Sequence, residues 1–136
     1  MRDDRPIGAE ACSRALETDP AGIEARLKEE LKKLGRKIVV LDDDPTGIQT
    51  VHDVYVYTDW KQETLEEAFQ DQNSMFFILT NSRGMTSVET ERVHREIARN
   101  LLSAARRTRK DFLLVSRSDS TLRGHYPLET QTLREE

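Results

Sequence analysis

Lys37-Ile-Val-Val-Leu-Asp-Asp-Asp-Pro-Thr-Gly47 is the stretch on which the fold turns. Ile38 to Leu41 form a short apolar, mainly β-branched run that reads as a buried strand. Three aspartates, a proline and a glycine then end it in a dense polar loop. The same arrangement recurs twice. Met75-Phe-Phe-Ile-Leu79 runs into Thr80-Asn-Ser-Arg-Gly84, and Phe112-Leu-Leu-Val115 runs into Ser116-Arg-Ser-Asp-Ser-Thr-Leu-Arg-Gly124. Val54-Tyr-Val-Tyr-Thr58 reads as a further strand.

Helical signals fill the intervals. Ile23, Leu27, Leu31 and Leu34 recur at helical spacing and Gly35 stands where a C-terminal cap belongs. Asp59 and Gln62 have capping-box spacing ahead of a helix through about Gln70. Thr86 and Glu89 repeat that signature before the stripe of Val93, Ile97, Leu101 and Ala105. The basic end of this helix, Arg106 to Lys110, reads as a solvated last turn favoured by the helix dipole. Pro127 opens a last helix. Strands alternating with helices predict an α/β fold with a mainly parallel, three-layer (α/β/α), Rossmann-like sheet and right-handed crossovers. Residues 1–22 read as a polar leader, with a short helix around Glu10 to Leu16 as the alternative. The domain proper takes residues 23–136.

A chain of 136 residues suits one core or part of a larger domain. Its −4 net charge, from 25 acidic and 21 basic residues, gives no basic excess for nucleic acid. Met75 to Leu79 is far too short to cross a bilayer, and the N-terminus lacks the apolar core of a signal peptide. The single cysteine, Cys12, has no disulfide partner and no neighbouring zinc-ligand pattern. These features predict a reducing, cytoplasmic setting, with no membrane and no nucleic-acid partner.

In a parallel sheet the three polar loops emerge at one edge, the carboxyl ends of the strands, where open α/β sheets bind ligands. Arg83, Arg117 and Arg123 are forked donors for a carboxylate or phosphate. Asn81, Ser82, Ser118, Ser120 and Thr121 match hydroxyls. The aspartates of the first loop accept from hydroxyls, act as a base, or hold a hard metal. Together they describe a site for a small, anionic, oxygen-rich ligand.

These residues also carry a resemblance. Asp43-Asp44-Pro45-Thr46-Gly47 is similar to the DDxTG signature of the four-carbon acid sugar kinases. Ser82-Arg83 falls at that family's Ser-Arg pair after a strand, and Asp119 to Gly124 matches its DSTLRG motif. Order and spacing agree over about residues 37 to 130. The resemblance implies a two-domain enzyme that phosphorylates threonate, erythronate or oxo-tetronate with ATP and Mg2+. The N-terminal domain would hold the sugar acid and a separate C-terminal domain the nucleotide. This chain has neither a GxxxxGK[ST] nor a GxGxxG loop. On that reading it is an incomplete domain that binds sugar acid only, with the ATP and Mg2+ sites outside it. Self-association, or docking to the missing nucleotide domain, follows as its further partnership.

Asp44 is the candidate catalytic residue, contacting the acceptor hydroxyl, with helix capping as its structural alternative. Asp43, Arg83, Asp119, Ser120, Thr121 and Arg123 are the candidate substrate-binding residues. For Asp43, Asp119 and Arg123 the competing role is ion pairing within the loops. His52, His94 and His125 lack metal-ligand spacing, and no metal or cofactor ligands are assigned. Trp60, Tyr55 and Tyr57 read as packing residues.

Two rival functions remain. Val39 to Thr46 also fits the DxDxT motif of haloacid-dehalogenase-type phosphatases, with Asp42 as nucleophile, Asp44 as acid/base and Thr80 as phosphate donor. That reading leaves DSTLRG without a role. The other rival is a non-catalytic truncated fragment that binds without turnover.

Overall fold

The computed structural model describes residues 19–49, 51–119 and 122–136. They fall into two units, Met1–Gly35 and Arg36–Glu136. The alternative helix around Glu10 to Leu16 lies outside the described residues.

In the first unit, α1 (Pro20–Leu34) follows Asp19 and ends at Gly35, whose φ of 60° is the left-handed conformation of a C-terminal cap. It begins ahead of the apolar stripe because Pro20 is tolerated in a first turn, where no intrahelical donor is needed. Ile23 and Leu27 on its stripe are more than half exposed.

The second unit is a four-stranded parallel sheet with its connecting helices. Its elements are β1 (Arg36–Asp42), β2 (Tyr55–Tyr57), α2 (Gln62–Gln70), β3 (Met75–Leu79), α3 (Ser87–Thr108), β4 (Asp111–Arg117) and α4 (Leu128–Glu135). The strand order is β2-β3-β1-β4, and every neighbouring pair is parallel. The α/β class and the parallel sheet are thus as the sequence predicts. β1 is central and almost wholly buried, which explains its unbroken apolar run.

One face of the sheet carries Val39 and Leu41 of β1, Phe76 and Ile78 of β3, and Phe112 and Leu114 of β4. Against it pack Leu65, Ala68 and Phe69 of α2 and Val93, Ile97 and Leu101 of α3, with Leu133 of α4 at the margin. Phe69 meets Phe76 and Phe112 edge-on, at centroid distances of 5.6 and 5.7 Å. Lys37, though buried, is satisfied: its ammonium donates to the Asp71 carbonyl at 2.7 Å and to that of Asn73. The opposite face carries Val40 and Phe77, both buried, and Leu113 and Val115 of β4, which are exposed.

The Thr86–Glu89 capping box forms with both legs in place. The Asp59–Gln62 box does not. The N-cap of α2 is Lys61. Asp59 instead accepts from the Lys61 N–H at 3.1 Å and the Thr64 hydroxyl at 2.7 Å, while Gln62 bonds Glu66. Spacing alone did not reveal that Asp59 turns the chain two residues before the N-cap.

Candidate functional site

The chain leaves β1 for β2 and β3 on one side of the sheet, then crosses back over β1 to β4 on the other. That reversal beside β1 is the topological switch point of an open α/β sheet, where a crevice opens beyond the strand ends. The loops after β1, β3 and β4 meet there through one side chain, Asp43.

Asp43 is fully buried. Its carboxylate accepts from Arg83 Nε at 3.1 Å and Nη2 at 3.0 Å, a forked pairing, and from the backbone N–H of Asp119 at 3.2 Å. Residues 43, 83 and 119 come from three different loops, so one carboxylate ties all three. Arg83 spends its third nitrogen on Asp44, with Nη1 2.9 Å from Oδ2. The strong bond to Asp43 holds the Arg83 guanidinium pKa above its ordinary value.

Asp44 caps the short 3-10 turn Pro45–Ile48. It accepts from the Thr46 N–H at 2.7 Å and from the Thr46 hydroxyl. The side-chain bond from Thr46, then its backbone bond, hold the Asp44 carboxyl below the ordinary carboxylate range, with Arg83 and Arg123 adding smaller pulls. Asp44 is therefore an ionised acceptor at neutral pH. The capping role predicted as its alternative is present, and its second oxygen faces Arg83.

Arg123 donates through Nε to Asp119 at 3.1 Å and is about two thirds exposed. Arg117 is half exposed, with its nearest carboxylate oxygen, on Asp42, 4.0 Å away. Two forked cations thus remain open to solvent on the rim. Ser120 and Thr121 lie outside the described residues. His125 donates through Nε2 to the Met85 carbonyl, 2.9 Å away.

Two glycines are fixed by close approach. A Cβ on Gly47 would fall inside the Asp42 carboxylate, and one on Gly124 would fall on the Asp119 carbonyl. The DDxTG glycine folds back on the aspartate just before its segment, and the DSTLRG glycine on the first residue of its own.

Asp42 is the nucleophile of the phosphatase reading, and the geometry is against that role. Its side chain is fully buried and pressed against Gly47. Burial drives its pKa up, against smaller lowering effects from the Asp44 N–H and Arg117. Thr80 is likewise buried, its hydroxyl committed to the Asp42 carbonyl and Ser82. Neither group can meet a substrate.

The carboxylates also do not fit the Mg2+ of the resembled kinases. Among the described residues no three His, Cys, Asp or Glu side chains are arranged to hold a metal ion. Asp43 and Asp44 are taken by Arg83 and Thr46, and Asp42 is closed off. No described helix is long and apolar enough to cross a membrane.

Sequence reasoning missed one feature behind the rim. Ser82, Thr90, His94 and Glu129 are all buried, and Ser82 donates to Glu129 at 3.0 Å. A signal for His94 was present, since it stands three residues before Ile97 on the buried face of α3.

The switch-point loops, with their linked aspartates and exposed cations, define an α/β domain suited to a small polar ligand. The chain belongs to the sugar-binding N-terminal domain family, whose model matches residues 38–136. That match takes in the whole rim, and makes this a sugar-binding domain. No curated protein and no solved structure matches the chain.

Proposed function

We propose that this domain binds a four-carbon sugar acid, of the threonate, erythronate or oxo-tetronate type, as the acceptor-binding part of an ATP-dependent kinase. The observation that supports this most is the Asp43 junction. It brings an ionised acceptor, Asp44, and two open forked cations, Arg117 and Arg123, to one rim.

A sugar acid presents a carboxylate at one end and hydroxyls along the rest. Arg123 and Arg117 suit the carboxylate. Asp44 suits a hydroxyl, accepting its hydrogen bond and holding its oxygen in one direction. A carboxyl with a lowered pKa is a weak base, so Asp44 acts mainly by orientation. Phosphoryl transfer depends more on alignment than on base strength.

Calorimetry tests the reading. Threonate or erythronate should release heat on binding, while the neutral polyols threitol and erythritol should bind at least about tenfold more weakly, the loss expected for one charge-assisted contact. Arg123→Ala should lower affinity for the acid by a similar factor and leave the melting temperature unchanged. Equal affinity for acid and polyol, or a variant with wild-type affinity, rejects the site.

A second reading is a binder without turnover, favoured by the commitment of the Asp44 carboxylate to Thr46 and Arg83. ADP formed from ATP and threonate by this chain would overturn it. Binding heat without ADP from this chain fits both readings, and ADP formed once a nucleotide-binding domain is supplied would decide for the kinase.

A further inference from the structure

Glu129 should not be where it is on grounds of stability alone. It is 1% exposed, on α4, and no lysine or arginine among the described residues pairs with it. Its nearest ionisable neighbour is His94, with Nε2 3.8 Å from Oε1. His94 is itself fully buried, its Nδ1 2.8 Å from the Thr90 carbonyl. Three atoms here have no protein partner: Glu129 Oε2, His94 Nε2 and Thr90 Oγ1. Buried polar groups left in this state are costly, and an apolar residue at position 129 would remove much of that cost.

What Glu129 does hold is Ser82. The Ser82 hydroxyl donates to Glu129 Oε1 at 3.0 Å and receives the Thr80 hydroxyl at 3.0 Å, and the Thr80 backbone N–H donates to the Asp42 carbonyl at 2.8 Å. A chain of buried hydrogen bonds therefore runs from α4, through the loop after β3, to the end of β1. Ser82 immediately precedes Arg83, the residue that grips Asp43 and Asp44. A second strut, His125 to the Met85 carbonyl at 2.9 Å, joins the segment leading into α4 to the far end of the same loop. The Ser82–Gly84 turn is thus held from both sides by one segment.

We infer that Glu129 is a positioning residue of the sugar-binding site: through Ser82 it fixes the turn that aims Arg83 at the two aspartates. Thr90 and His94 complete its pocket. A carboxylate serves here because it offers acceptors on two sides at once, one for the serine and one for the pocket. A leucine of similar bulk would pack but would release the turn.

The inference rests on the proposed sugar-acid site for its ligand arm but carries an arm of its own. The 15N Nε–H resonance of Arg83 reports the forked bond to Asp43 directly. In Glu129→Leu and in Ser82→Ala that signal should shift toward solvent-exposed arginine or broaden, and threonate affinity should fall roughly tenfold, as for loss of one hydrogen bond to a charged group. Glu129→Gln keeps an acceptor for Ser82 and should retain both the resonance and most of the affinity. A residue that merely supported the fold would lower the melting temperature and leave the Arg83 signal of the folded protein in place. An unmoved Arg83 signal in Ser82→Ala overturns the inference, including where Glu129→Leu fails to fold. If wild type binds no sugar acid while the Arg83 signal moves as expected, the ligand assignment falls and the positioning role stands.

Discussion

At the scale of single residues, the rim is built by aspartates that differ sharply in environment. Asp42 is buried beside Gly47, its pKa raised chiefly by desolvation; Asp44 is held ionised by Thr46. The sign of the Asp42 effect follows from linkage. A carboxyl whose folded pKa is raised binds more protons folded than unfolded, so stability falls as pH rises from its ordinary 3.8 through the raised value. Asp42→Asn cannot ionise and escapes that loss. Urea unfolding should therefore show the variant gaining on wild type between pH 4 and pH 7, and a gap that stays constant or moves the other way would contradict the burial argument. The glycines make a second contrast. Gly124→Ala forces backbone to move and should be destabilising by about 2 kcal/mol or more, whereas Gly84→Ala enters open space and should stay within about 0.5 kcal/mol of wild type. Thermal melts of the pair read this directly. The residue types on the rim were legible in the sequence, because strands ending in polar glycine loops are conspicuous. The pairing was not. Arg83 looked like a ligand donor, and three of its five N–H groups prove committed to Asp43 and Asp44. Such commitments depend on contacts 40 residues apart, which no local pattern encodes.

At the scale of elements, periodicity served well where burial is one-sided. α3 shows its stripe, its capping box and a left-handed C-cap at Arg109, whose φ is 55°. Thr86→Ala removes the hydroxyl that accepts the Glu89 N–H and should lower stability by about 1 kcal/mol, measured by urea unfolding. Arg95 and Arg99 of α3 both reach Glu136 beyond α4, at 2.8 and 2.9 Å. Arg99 is mostly exposed, while the Glu136 side chain is largely sheltered between the two guanidinium groups. α2 shows where the reading failed. Asp59 and Gln62 have capping spacing, yet the chain makes an extra turn at Asp59 and enters the helix at Lys61, a choice set by the Asp59–Thr64 bond rather than by the four-residue signature. α4 shows a subtler limit. Pro127 marked where it opens, and only the fold reveals that Glu129 and Thr132 face inward.

At the scale of the whole second unit, the two faces of the sheet are unlike. The helix-covered face contains Phe69, fully buried among aromatic rings. The other face leaves Leu113 and Val115 exposed by 48% and 38%. Phe69→Ala should destabilise by about 3–5 kcal/mol. Leu113→Ala should fall below about 1 kcal/mol, because much of its surface is already in water. Chemical denaturation of both variants separates the faces, and a large loss at Leu113 would mean that this face is covered in solution. The α/β class was legible because β1 and β3 are unbroken apolar runs, as buried parallel strands must be. The unequal faces were not, since β4 reads as continuous apolar sequence while only every second side chain is sheltered.

Because one carboxylate fastens loops that lie 40 and 76 positions away along the chain, recognition cannot be carried by any short peptide cut from this protein. Transplanting DSTLRG onto another scaffold would move the letters and leave behind the anchor that shapes them. Specificity here is a property of the closed circuit, and an engineer who wishes to retune it must exchange all three segments together.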